Sequence, residues 1–181
     1  MVKQPRPFCF NPSKIKAFVL GCDPTAFDKN GNLLEFDYVF DLGKDQRYFS
    51  SILKNLNLIG ISLKDIYVQN LIADYQKIET AKNKHWEAKA EQYLADRKTE
   101  FDQVDPTRKI PVFLTAERLC HFLLNDGEKK RKASEIYTSK TEIPIPPEAN
   151  KLGRPLIPLY RHYRYDLFKW PDYSSQLRRK F

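Results

Sequence analysis

The stretch that decides the fold is residues 15–21, which read IKAFVLG and run directly into Cys22-Asp23-Pro24-Thr25. Apart from one lysine the run is apolar, and it ends in glycine, which is typical of a buried strand that enters a tight loop. In α/β sheets ligands bind beyond the carboxyl ends of the strands. The loop that contains Asp23 is therefore the first place to look for a functional site.

Further strands are predicted outward from this one. They are the β-rich or apolar segments DIYVQNLI (65–72), IPVFL (110–114) and PLIPLY (155–160). Strands that alternate with helices favour right-handed crossovers and a parallel sheet. The predicted fold class is α/β, a three-layer α/β/α sandwich with a central four-stranded parallel sheet, in a single domain that spans residues 1–181.

Helices are predicted where apolar residues recur at helical spacing, at 44–57 and at 80–101. Thr115 is expected to cap another helix that runs to residue 124. The proline-containing segments 1–14 and 134–150 are expected to be extended, the former as a lead-in to the first strand. Residues 151–181 form a basic, aromatic C-terminal segment.

Composition narrows the class of protein. A chain of 181 residues, 41% of them hydrophobic, can bury one substantial core but not two ordinary ones. It contains no long apolar run and no signal-peptide pattern, so we expect a cytoplasmic, monomeric protein with no membrane association. The three cysteines fit neither a disulfide framework nor a CxxC metal site, so we expect reduced thiols and neither a metal nor another cofactor.

The net charge of +8 is concentrated near the C-terminus. Residues 151–181 contain eight basic residues, two acidic residues and seven aromatic residues. Basic side chains grip phosphates and aromatic rings stack on bases, so this composition favours a nucleic-acid partner. The alternative is a solvated basic segment whose aromatic residues dock on the core.

Polar residues stand at the carboxyl ends of three predicted strands. Asp23 follows the first strand, Asn70 lies near the end of the second, and Arg161 and His162 follow the fourth. We expect the loops after parallel strands to converge on one site.

The segments VLGCDPT, YVQNL and LYRHYRY carry these residues. In order and rough spacing they resemble the three motifs of the uracil-DNA glycosylases, GQDPYH, LLLN and HPSPL, and the resemblance extends from residue 15 to about residue 168. It implies a DNA glycosylase of base excision repair. Such an enzyme hydrolyses the N-glycosidic bond of uracil, or of a related damaged pyrimidine, in DNA.

The resemblance implies two catalytic residues. Asp23 matches the carboxylate that orients water and stabilises the sugar cation. His162 matches the histidine that hydrogen-bonds uracil O2 while charge develops on the departing base. Taken alone, Asp23 favours the alternative of an Asp-Pro turn former, and the alternative for His162 is a surface histidine in a basic loop.

Base binding is implied for four residues. Asn70 matches the asparagine whose amide reads the uracil edge, and Phe40 the ring on which the flipped base stacks. Gly21 and Cys22 adjoin Asp23, and Cys22 would offer its backbone to the base. The alternatives are an asparagine that satisfies backbone groups and a core phenylalanine.

Contacts with DNA are implied for Arg161, Arg164 and Leu167. Either Leu167 or Phe168 would stand for the leucine that fills the space left by the flipped base. The chain also departs from the family pattern, since Thr25 replaces the tyrosine that excludes the thymine methyl group.

Two other classes of function stay open from the residues alone. One is a catalytically weak DNA-binding module of the same fold. The other is an unrelated α/β hydrolase or nucleotide-binding protein, which the absence of GxxxxGK[ST], GxGxxG and GxSxG disfavours.

Overall fold

The structure is a computed structural model that describes residues 3–140 and 143–181. In these ranges the strands are β1 (Phe8–Cys9), β2 (Ala17–Gly21), β3 (Ile66–Asn70), β4 (Val112–Leu114) and β5 (Leu156–Pro158). They form one sheet in the order β1-β3-β2-β4-β5, in which β1 is antiparallel to β3 and the other neighbours are parallel. The α/β class is confirmed, with a mixed sheet.

The prediction of a four-stranded parallel sheet is wrong at one edge. The four predicted strands are present and parallel, but the lead-in adds β1, in which Phe8 pairs with Val68 and Cys9 with Tyr67. Proline has no N–H to donate to a neighbouring strand, and Pro7 and Pro12 stand on either side of β1. We attribute the shortness of β1 and its place at the sheet edge to these prolines.

The helices of the described residues are α1 (Ser50–Leu58), α2 (Trp86–Val104), α3 (Glu117–Leu123), α4 (Ala133–Thr138) and α5 (Pro171–Arg178). The first helix begins later than predicted because Asp45 Oδ1 accepts the N–H of Arg47 at 2.8 Å, which fixes a turn there. Thr115 is not a cap. Its hydroxyl donates to the carbonyl of Leu20 at 3.0 Å, and the third helix begins only after Ala116.

Two helices lie where none was predicted. In the segment predicted to be extended, α4 forms because the N–H of Ala133 donates to the Glu117 carboxylate at 2.9 Å, a contact between residues distant in sequence. Residues 141 and 142 of that segment lie outside the described ranges. Near the C-terminus, α5 buries Tyr173 and Leu177 completely, so the C-terminal segment is part of the fold.

Burial fixes the carboxyl edge of the sheet in place. Every residue of β2, β3, β4 and β5 is buried. Each large apolar side chain removed from water stabilises the fold by about 1.5–3 kcal/mol. The loops that follow these strands therefore extend from a rigid base. Across the described ranges, no helix combines the length and apolar composition that crossing a membrane requires.

Candidate functional site

The loops at the carboxyl edge enclose two adjoining cavities of about 340 and 240 Å³. Gly21 and Asn70, the last residues of β2 and β3, are paired in the sheet, and Asn70 lines the larger cavity. Asp23, Phe40 and Arg161 line both cavities. The structure therefore brings together these four residues, all of which the sequence placed in the site, and sets Gly21 beside them.

Asp23 is held by three donors. Its Oδ1 accepts the N–H of Thr25 at 3.1 Å, and its Oδ2 accepts the hydroxyl of Thr80 at 2.7 Å and the indole N–H of Trp86 at 2.9 Å. The turn at Asp23 is thus present, together with two contacts that a turn does not need. A carboxylate offers about four acceptor positions. The three donors fix the orientation of the group and leave room for a further donor such as water.

Arg118 holds the segment that supplies two of those donors. Its Nε and Nη2 contact the Glu87 carboxylate, both at 2.6 Å, and its Nη groups donate to the carbonyls of Thr80 and Asn83. The guanidinium also lies over the Trp86 ring, 5.2 Å from its centroid. These hydrogen bonds keep the pKa of Glu87 below its ordinary value. Arg118 was not predicted, because its partners stand more than thirty residues away.

The Asn70 side chain differs from the Asp23 carboxylate in its hydrogen bonding. It is 1% exposed, and among the described residues neither Oδ1 nor Nδ2 has a hydrogen-bond partner. A buried polar group left without a partner costs about 1–3 kcal/mol. A Cβ at Gly21 would lie 2.2 Å from Asn70 Oδ1 and 2.6 Å from Phe40 Cζ. Glycine is therefore required at position 21 for the amide and the ring to approach the strand this closely.

Phe40 has a strained backbone. Its φ is 56° and that of Asp41 is also 56°, in the left-handed region that large side chains rarely adopt. Each such residue costs on the order of 1–3 kcal/mol, and strain of this kind clusters at ligand sites. In this conformation the Phe40 side chain reaches the wall shared by both cavities.

His162 does not line either cavity. The residue is exposed, its Nδ1 accepts the N–H of Arg164 at 3.3 Å, and its ring lies 4.5 Å from the ring of Tyr163. Arg161, one residue earlier, reaches the cavities instead. Arg161 thus lines the cavities that the sequence led us to expect His162 to line.

Cys22 lines the smaller cavity. Burial of the thiol, reinforced by the charge of Asp23, raises its pKa to about 12. The sulfur is therefore protonated at neutral pH and is not an activated nucleophile. Among the described residues, no group of three or more histidine, cysteine or acidic side chains is placed to hold a metal ion.

Leu167, one of the two residues predicted to fill the space left by a flipped base, is fully buried in the structure, and its N–H donates to Asn55 Oδ1 at 3.0 Å. The next residue, Phe168, is 80% exposed. Much of the basic, aromatic segment is likewise part of the core. Tyr173 stacks on Tyr137 with ring centroids 4.4 Å apart.

Arg154 is another basic residue of this segment that serves the fold. It is fully buried and pairs with Asp102 at 2.7 Å and with Asp105 at 2.8 Å. Docking on the core, the alternative to nucleic-acid contact, therefore holds for these residues, while Arg164 and Phe168 remain exposed.

Comparison with protein-family models gives no match for this chain, and neither does comparison with curated proteins. Its function has to be inferred from the chemistry of the two cavities.

Proposed function

We propose that the protein belongs to the uracil-DNA glycosylase superfamily and hydrolyses the N-glycosidic bond of uracil, or of a related damaged pyrimidine, in DNA. The observation that carries the proposal is the unpartnered amide of Asn70 beside the Phe40 ring, in a cavity that also holds the Asp23 carboxylate. A flipped base presents a flat face and an edge of alternating donors and acceptors, which a ring and an amide can bind.

In the proposed reaction the base stacks on Phe40. Its N3–H donates to Asn70 Oδ1, and its O4 accepts from Asn70 Nδ2. The bond between C1′ and N1 breaks and its electron pair leaves with the base, while the Asp23 carboxylate stabilises the sugar cation. Water adds to C1′ and passes a proton to Asp23 and then to solvent. Asp23 needs no reorganisation for this role because three donors already orient it.

The size of the side chain at Thr25 affects which bases fit into the site. It lines both cavities, and its hydroxyl accepts the N–H of Gln76 at 2.7 Å. A threonine occupies less space than the tyrosine that the family resemblance would place there. We therefore propose a relaxed preference among 5-substituted uracils, since rejection of one methyl group by shape is worth only about 1–3 kcal/mol.

The proposal includes a surface for DNA and a particular architecture. The exposed residue Arg164 would contact the DNA backbone, and the exposed Phe168 would fill the space left by the flipped base.

A three-layer α/β/α sandwich in a monomeric single domain fits strands that are buried at every residue, because such strands need cover on both faces of the sheet.

A second candidate is a DNA-binding module of the same fold with little catalytic activity. The observation in its favour is that Asp23 Oδ2 already accepts two side-chain donors, which is also how a purely structural carboxylate is held.

Replacing Asp23 by asparagine tests the proposal. The amide oxygen can still accept from Trp86, so we expect the fold and the DNA affinity to persist, while single-turnover release of uracil falls by about two to three orders of magnitude. The assay uses a labelled oligonucleotide at saturating protein. Asp126→Asn, at an exposed turn position, is the matched control. If the wild type binds the oligonucleotide but releases no base, the binding module is the correct function.

A further inference from the structure

Arg161 has a fixed backbone and a free side chain. Its N–H donates to the carbonyl of Thr115 at 3.0 Å, and its own carbonyl accepts the hydroxyl of Ser51 at 3.2 Å. Within residues 3–140 and 143–181, its guanidinium has no hydrogen-bond or salt-bridge partner. Arg118 and Arg154, by contrast, are both engaged with carboxylates. The backbone of Arg161 is thus held by hydrogen bonds, while its guanidinium is available to bind a ligand.

Arg161 lines both cavities, together with Asp23 and Phe40, and is exposed at their rim. Burial raises the pKa of the Cys22 thiol, and the positive charge of Arg161 opposes that rise. Because it lines both cavities, Arg161 is placed to act on a ligand bound inside them. His162 lies outside, with its Nδ1 already accepting from Arg164.

We infer that Arg161, rather than His162, is the catalytic residue that stabilises the departing base. This inference rests on the proposed glycosylase function and deepens it. As the bond between C1′ and N1 breaks, its electron pair delocalises onto the base and places negative charge on O2. An N–H of Arg161 donates to that oxygen and keeps its proton. The base anion is protonated by solvent after release, and the water that adds to C1′ releases one proton in exchange.

Physical chemistry favours a guanidinium for this task. Arginine stays charged throughout the working pH range and donates to an oxyanion in a fixed planar geometry. At its exposed position, solvent water screens this charge. A bound base displaces that water and lowers the local dielectric constant, so the attraction strengthens where negative charge develops.

Binding a DNA phosphate is the competing role for a free guanidinium at this edge. The two roles differ in what the leaving group does. A residue that stabilises the departing base matters less when the base is itself a better leaving group, whereas a phosphate ligand affects all bases alike.

The experiment measures single-turnover release of uracil and of 5-fluorouracil from otherwise identical oligonucleotides at saturating protein. We expect Arg161→Gln to slow uracil release by about a hundredfold, which is typical for loss of one oxyanion donor. Fluorine stabilises the base anion, so 5-fluorouracil release should slow much less. Arg161→Lys should retain part of the rate. Lys64→Gln, at the opposite edge of the sheet, is the charge-matched control and should leave both rates unchanged.

Other results would overturn the inference. If Arg161→Gln weakens DNA binding and flattens its salt dependence but leaves the saturated rate intact, Arg161 is a phosphate ligand. If His162→Gln loses more uracil release than Arg161→Gln, the imidazole is the stabilising group. If the wild type releases neither base, the proposed function has failed and the inference falls with it. Normal release by the wild type with an unaffected Arg161→Gln would reject the inference alone.

Discussion

The two walls of the candidate site differ in how their polar groups are satisfied. The Asp23 wall consists of Asp23, Thr80, Trp86 and Arg118, and its carboxylate and guanidinium are bound by protein partners. The Asn70 wall consists of Asn70, Phe40 and Arg161. In the described parts of the chain, the amide of Asn70 and the guanidinium of Arg161 have no partners.

The Asp23 wall is therefore held in a fixed arrangement, whereas the Asn70 wall has polar groups available to bind a ligand. The Asp23 wall is complete without a ligand, so under the proposed function its carboxylate would need no rearrangement at the moment of reaction. On the Asn70 wall the buried amide of Asn70 has no partner among the described residues, which costs stability, and the exposed guanidinium of Arg161 is left free for a ligand. Substitutions should therefore affect stability and activity differently on the two walls.

The largest difference between the effect on stability and the effect on activity is expected for Asn70→Leu. Leucine has a similar shape and removes an unpartnered amide, so the free energy of unfolding should be unchanged or rise by about 1 kcal/mol. Uracil release should nevertheless fall by at least about two orders of magnitude. Urea unfolding and single-turnover release measure the two effects.

The matched control for Asn70→Leu is Asn55→Leu. Asn55 is also buried, but its Oδ1 accepts the N–H of Leu167 at 3.0 Å. Its loss should therefore destabilise the fold by about 1–3 kcal/mol. Equal destabilisation by the two substitutions would contradict the claim that the Asn70 wall awaits a ligand.

Gly21→Ala should disturb the Asn70 wall through a single added methyl group. The new Cβ would clash with Asn70 Oδ1 and Phe40 Cζ, so we expect a loss of about 1–3 kcal/mol in stability together with reduced uracil release. Gly127→Ala provides the control, because it introduces backbone strain at a φ of 90° with no neighbour within 4 Å. It should lower stability and leave the single-turnover rate unchanged. Retention of full activity in Gly21→Ala would argue against a close-packed base site.

Arg118→Gln tests the Asp23 wall. Without the hydrogen bonds of this guanidinium, Thr80 and Trp86 lose their fixed positions, and uracil release should fall by about ten- to a hundredfold because catalysis is sensitive to misplacement of about 1 Å. The expected change lies in the rate at saturation, with DNA affinity preserved. Arg108→Gln removes a surface pair with Asp102 at 2.6 Å and should leave the saturated rate unchanged. An equal loss of rate in both variants would show a general effect of removing charge.

The smallest effect is expected at the DNA surface. Replacing Arg164 by glutamine should make the slope of log affinity against log salt shallower, by about one unit if the protein loses one phosphate contact. Lys64→Gln should leave the slope unchanged. A slope that does not respond to this substitution would show that Arg164 is merely solvated.

The parallel strands and their shared edge could be predicted from the sequence because continuous apolar runs mark buried strands. Asp23, Asn70 and Phe40 could be placed at that edge by short motifs alone. The helix α4 could not be predicted, because a carboxylate sixteen residues away accepts its first N–H. The role of Arg118 could not be predicted for the same reason, since its hydrogen bonds to Glu87 span 31 residues.

The choice between Arg161 and His162 illustrates another limit. Both residues follow β5, and a motif match cannot decide which of two adjacent side chains turns towards the cavity. The backbone decides it, through hydrogen bonds to Thr115 and Ser51 that come from other elements of the fold.

The central claim is that the unpartnered side-chain amide of Asn70 binds a flipped base. NMR of this amide tests the claim most directly. The protein is mixed with an oligonucleotide that carries one 2′-fluoro-2′-deoxyuridine, whose fluorine resists formation of the sugar cation, and separately with an undamaged oligonucleotide of the same length. Absence of the resonances in Asn70→Leu assigns them. We predict that the Asn70 amide resonances shift with the uracil analogue and not with the undamaged strand. Identical spectra in the two complexes would contradict the account.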